Sequence, residues 1–314
     1  MAAAIPPGRV VWGLQLPIQS QSTIYVQAWE EGAGAADLAA IACAADRAGA
    51  FYVAVCDHVA IPRPADESMS ATWYDTVATL SWLAAQTDRV HLLSHVYVLP
   101  YRHPLVTAKS FTTLDHLSTG RAILGVGAGH LRSEFDLLGV DHAGRGASTD
   151  HALAVIRAAF TEEFPTVGGP GAEVGVGVRP RPTRPGGPPI WVGGSSRPAM
   201  RRAARLGDGW LPQGPPEMGM RAAVEFIRAE RAAADRPEEF DLGINGAPIR
   251  LGPARDGDPD WVLTGSADEV AAGLRRYCEV GANQLQLRFL ADSAAEYADQ
   301  LERFGDDVWP SVVS

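Results

Sequence analysis

The sequence predicts an α/β fold, a TIM (β/α)8 barrel with an insertion loop between strands 4 and 5. Short apolar, β-branched runs alternate with longer Ala-rich segments whose apolar residues recur at three and four positions, the pattern of strand–helix units. That alternation occurs eight times, which favours a closed parallel barrel over an open sheet, because each strand then finds two neighbours without long crossovers. One stretch, 164–188, is so rich in Gly and Pro that neither a packed helix nor a central strand is expected there, and it reads as an insertion loop. No domain boundary is visible, so residues 1–314 are expected to form one barrel domain. The alternative, a Gly/Pro linker between two domains, leaves neither half with a complete sheet.

The elements follow in order. The first strand is expected over 10–16 with a helix over 34–48, which Gly49 suits as a C-terminal cap. The second strand spans 51–56 and, after a long loop, leads to a helix over 73–86. The third strand, 90–99, precedes a helix over 104–117 with Pro104 in its first turn. The fourth, 121–126, is followed by a short helix over 131–138 and a longer one from Ser148, an expected N-cap, to about residue 164. Beyond the insertion come strands at 189–192 and 208–211 with helices over 196–206 and 217–234. A seventh strand lies within 240–251 and an eighth at 284–290, with helices over 266–280 and 293–304.

Composition narrows the function. Twenty-seven Lys and Arg against 37 Asp and Glu give a net charge of −10, which argues against a protein that coats nucleic acid or an anionic membrane. No apolar run approaches the roughly 20 residues of a membrane span, and no leader pattern opens the chain. Cys43, Cys56 and Cys278 are far apart and odd in number, which signals neither a disulfide framework nor a thiolate metal site and fits a cytoplasmic protein. All eight histidines lie in the first half, yet no metal site is expected. The first strand ends in Gln15-Leu16-Pro17 where metal-dependent barrel hydrolases carry a His-x-His pair, and no H-E-x-x-H occurs.

In a barrel the chemistry gathers where strands end at the C-terminal face. Asp57-His58 follows the second strand directly. His58 there is either a proton carrier with a suitable pKa or, with Asp57, a tie for the loop that follows. Gly193-Gly194-Ser195-Ser196 joins a strand to a helix N-terminus and reads either as a phosphate or other anion site or as a tight turn that needs glycine. Leu124-Gly-Val-Gly-Ala-Gly129 has the spacing G-x-G-x-G, not the dinucleotide fingerprint, and in a barrel reads as bare backbone against which a flat ring lies. Gln15 and Arg288, at the ends of the first and eighth strands, and His130, after the fourth, are the candidate substrate contacts.

Taken together, several motifs resemble the luciferase-like flavin and deazaflavin oxidoreductases over nearly the whole chain. They are Trp12-Gly-Leu-Gln-Leu-Pro17, Val53-Ala-Val-Cys-Asp-His58, Val98-Leu-Pro-Tyr-Arg-His-Pro104, Leu114-Asp-His-Leu-Ser-Thr-Gly-Arg121, Gly125-Val-Gly-Ala-Gly129 and Ile190-Trp-Val-Gly-Gly194. The pattern looks most like the branch that uses coenzyme F420, an 8-hydroxy-5-deazaflavin, with the flavin mononucleotide (FMN) branch as competitor. The resemblance implies cofactor phosphate at Gly193, Gly194, Ser195 and Ser196, and ring contacts at Asp57, Gly127, Ala128 and Gly129. It also implies a non-proline cis peptide at His95-Val96 under the ring, and a proton-exchanging role for His58. His95 replaces the small residue common before that bond. His130 stands where a sugar-phosphate dehydrogenase relative has a carboxylate, which argues against a sugar-phosphate substrate.

The expected activity is therefore hydride transfer between F420 and a small organic substrate. The alternatives are an FMN-dependent monooxygenase and, from another class, a non-catalytic ligand-binding barrel. Arg197, Arg201 and Arg205 form a stripe after the anion loop, suited to the acidic oligoglutamate tail of F420 or equally to a solvated helix face. The resemblance also implies a homodimer.

Overall fold

A computed structural model describes residues 3–23, 25–167 and 174–314. The first half runs β1 (Val11–Gln15), α1 (Ala35–Arg47), β2 (Tyr52–Val55), a one-turn α2 (Asp66–Met69), α3 (Thr76–Ala84), β3 (His91–Ser94), β4 (Tyr97–Val98), α4 (Pro104–Leu117), β5 (Ala122–Gly127), α5 (Arg132–Leu138) and α6 (Arg145–Thr161). The second half runs β6 (Thr166–Val167), β7 (Val174–Gly175), β8 (Ile190–Gly193), α7 (Arg197–Leu206), β9 (Gly209–Leu211), α8 (Met220–Ala233), β10 (Asp241–Asn245), β11 (Ile249–Leu251), β12 (Leu263–Gly265), α9 (Ala267–Cys278), β13 (Gln284–Leu287), α10 (Ala294–Arg303) and α11 (Trp309–Val313). The order β3-β2-β1-β13-β10-β9-β8-β5 is parallel throughout, and pairing of β3 with β5 closes it into an eight-staved TIM barrel.

The strand period of two decides what faces inward. Tyr52, Ala54, Leu93, Ile123, Trp191 and Leu211 pack inside the barrel with Ile5 and Val11. Inward glycines make room for the large rings: a Cβ on Gly13 would fall 2.5 Å from the Tyr52 ring, and one on Gly209 2.5 Å from Trp191. The alternate residues, among them Leu14, Val53, Leu92, Leu124 and Val192, face the helical layer. Asp241 closes the floor by accepting hydrogen bonds from the amides of Ala4 (2.7 Å) and Ile5 (3.2 Å) and from Trp191 Nε1 (2.8 Å).

Four expectations change. The third strand is not continuous: Leu93 pairs with Ile123 and Tyr97 with Val126, four steps on one stave against three on the other. The extra residue bulges at His95 and Val96, whose shared peptide is cis, and residues 99–101 already form a 3-10 turn. The long helix starts at Arg145, not at Ser148, because the Asp141 carboxylate accepts from Ala143 N and Gly144 N (both 2.9 Å) and turns the chain early. The insertion carries a short antiparallel pairing of β6 with β7, and residues 168–173 of that expected loop lie outside the described residues. The last helix does not stop near residue 304. It runs on through a π-helical turn into α11, because Phe304, Val308 and Val312 are buried at a spacing of four, with Phe304 4.9 Å from Trp12.

Candidate active site

Strand phase and the segments after β2, β3, β4, β5 and β8 bring three features to the barrel mouth. The first is a histidine–carboxylate pair. His58 Nδ1 lies 2.8 Å from Glu134 Oε2, and Glu134 is fully buried. The same carboxylate accepts from Val59 N (2.6 Å), Ala60 N (3.1 Å) and the Tyr101 hydroxyl (2.9 Å). Burial alone would push this carboxyl up. The His58 hydrogen bond and charge with the two amides outweigh it and hold Glu134 below the usual carboxylate range. An ionised carboxylate can only accept, so Nδ1 carries a proton and Nε2 is the nitrogen left to exchange one. Burial first, and then the hydrogen bond to Glu134, push the Tyr101 phenol well up, so it stays a donor. The His58 ring stands edge-on to Trp73 (4.4 Å) and to His130 (5.8 Å). Burial is the main cause that lowers His130 below the usual imidazole range.

The second feature is a platform. The Val96 methyls wedge between two glycines: a Cβ on Gly127 would fall 2.5 Å from Cγ2, and one on Gly193 2.5 Å from Cγ1. The glycines of this run make room for neighbouring side chains. Gly127 leaves room for Val96, and Gly129, at φ +78, for Phe135 and Val98, each 2.8 Å from where its Cβ would be. Val96 and Ala128 remain partly exposed.

The third is the loop after β8. Gly194, at φ +101, offers its carbonyl to Trp210 Nε1 (2.8 Å), Ser195 Oγ donates to Gly214 O (2.5 Å), and Ser196 caps α7. The amides of Ser195 and Ser196 have no hydrogen-bond partner among the described residues. They open on a 690 Å³ cleft walled by Arg197, Met200, Pro215, Glu217 and Met218.

Other expected site residues are placed differently. Asp57 is buried, and its oxygens are taken by Arg102 in a bidentate pair (2.7 Å each), by Val98 N (2.8 Å) and by Thr76 Oγ1 (3.3 Å), so it fixes the strand under the platform. His95 is 5% exposed and lowered to about 4 by burial, hence neutral, with Gln213 Nε2 2.5 Å from its Nε2. Gln15 reaches Ser20 (3.4 Å), and Arg288 holds the Tyr25 carbonyl (2.8 Å) and stacks over the Tyr25 ring (4.2 Å). Sequence reading missed Glu134, Tyr101, Arg102 and Trp73. Only Glu134 had a local signal, an acid in the first turn of a helix beside the mouth. Among the described residues no group of three or more metal-ligating side chains is assembled, and no helix is long and apolar enough to cross a membrane.

The chain belongs to the luciferase-like monooxygenase family, whose model matches residues 13–252. An uncharacterised protein of Mycobacterium tuberculosis is 30% identical over 245 residues, 72% of this chain and 86% of that protein. The FMNH2-dependent dimethylsulfone monooxygenase of Pseudomonas fluorescens is 28% identical over 176 residues, 55% of this chain and 47% of that enzyme. The solved structure of an F420-dependent secondary alcohol dehydrogenase with an F420–acetone adduct shares the fold at a TM-score of 0.77 and 17% identity, covering 97% of this chain and 99% of that one.

Proposed function

We propose that the chain is an F420-dependent oxidoreductase acting on a small organic substrate. The observation that carries the reading is the His58–Glu134 pair, 2.8 Å apart, at the same mouth as the Val96 platform and the 193–196 loop. The residues fit such a cofactor. Val96 and Ala128 would support a flat ring, and the amides of Ser195 and Ser196 would hold a phosphate at the N-terminus of α7. When bound, the deazaflavin supplies a ring carbon that gives or takes a hydride. His58 Nε2 takes the proton from a substrate hydroxyl as the hydride leaves, or returns it in reduction, and Glu134 stabilises the imidazolium that forms. Trp73 and His130 flank His58 and would border a substrate within reach of its ring.

His58→Ala should leave cofactor affinity nearly unchanged while turnover falls by roughly tenfold or more. Unchanged turnover would remove His58 from the reaction. A second reading, reduced FMN with oxygen activation, is favoured by the 28% identity to an FMNH2-dependent monooxygenase. Parallel fluorescence titrations with both cofactors separate the two, and rapid oxygen consumption with reduced FMN would select the second.

A further inference from the structure

We propose that the chain holds its deazaflavin by the ring and first phosphate and leaves the acidic tail unread, because Glu230 occupies the cations that would read it. This rests on the cofactor assigned above. Arg197, Arg201 and Arg205 line one face of α7, where a tail leaving the 193–196 loop would run. Glu230, on α8, takes two of them: Arg201 Nε lies 3.0 Å from Oε1 and Arg205 Nη2 2.7 Å from Oε2. Its side chain is 14% exposed and theirs are about half exposed, so the carboxylate is the embedded partner. The Arg201 hydrogen bond, with Arg205 beside it, holds the Glu230 carboxyl below the usual range. Arg197 has no carboxylate partner among the described residues, and its guanidinium lies 5.5 Å from the Phe226 ring. The 690 Å³ cleft is lined by one residue of each charge, Arg197 and Glu217. A tail carboxylate therefore either competes with Glu230 for cations already satisfied or lies beside Glu217. Exchanging one exposed ion pair for another changes affinity little, and salt screens what remains.

The test is fluorescence titration of the full chain with the tail-free phosphate form of the deazaflavin and with short- and long-tailed oligoglutamate forms. Dissociation constants of the wild-type chain should agree within about twofold, and Arg201→Gln with Arg205→Gln should leave them so. Glu230→Gln should bind the long-tailed form roughly three- to tenfold more tightly than the tail-free form, with the gain lost at high salt. Tighter wild-type binding with a longer tail would overturn the proposal while leaving the cofactor assignment intact. So would a Glu230→Gln protein of unchanged melting temperature that still ignores tail length. Failure of every deazaflavin form to bind would overturn both.

Discussion

Glu134 fixes which nitrogen of His58 is protonated. Replacing it with glutamine keeps the size but turns an amide NH2 toward Nδ1, which must then accept, so the proton moves to Nε2. Glu134→Gln should therefore show an inverted imidazole tautomer by nitrogen NMR, with turnover reduced by roughly tenfold or more and cofactor affinity little changed. A tautomer identical to that of the wild type would sink this account. The pair was not legible in the sequence. His58 stood out because it directly follows a strand, but its partner lies 76 residues away on a short helix, and only closure of the barrel joins them. Asp57 shows the opposite case. Its position beside His58 suggested a ligand contact, and the bidentate Arg102 that claims it comes from a turn 45 residues further on.

Among the elements, periodicity located all eight staves and nearly all of the helices to within a few residues, because burial against a neighbour enforces the alternation. The bulge between β3 and β4 carries no such pattern. It depends on a register difference between two strands and on the space that Gly127 and Gly193 leave for Val96. Gly127→Ala places a methyl 2.5 Å from Val96 Cγ2 and should cost roughly 1–3 kcal/mol by urea denaturation. Val96→Ala in the same chain should recover much of that loss, so a double-mutant cycle should give a coupling energy of about 0.5–3 kcal/mol. Simple additivity would show that the glycine serves something other than the valine.

The whole molecule depends on its closed floor. Asp241 joins β10 to β8 through Trp191 and to the N-terminal segment through two amides. Burial pushes its carboxyl up to about 7 from 3.8, so the folded chain holds this proton where the unfolded chain has released it. Between those two values stability drawn from Asp241 falls as pH rises, and above about 7 it is level. Asp241→Asn removes the titration. The stability of the wild type relative to this variant should decline from acid to neutral pH in denaturant titrations, and a constant difference would contradict the assignment.

A cylinder stopped at one end has a single doorway. Whatever rests deepest in it must arrive first and depart last, so under the function proposed above a redox carrier on Val96 would precede the reactant, and the product would clear before the carrier could be exchanged. On that reading product-inhibition patterns should show a fixed order of addition and release, and a random order would contradict it.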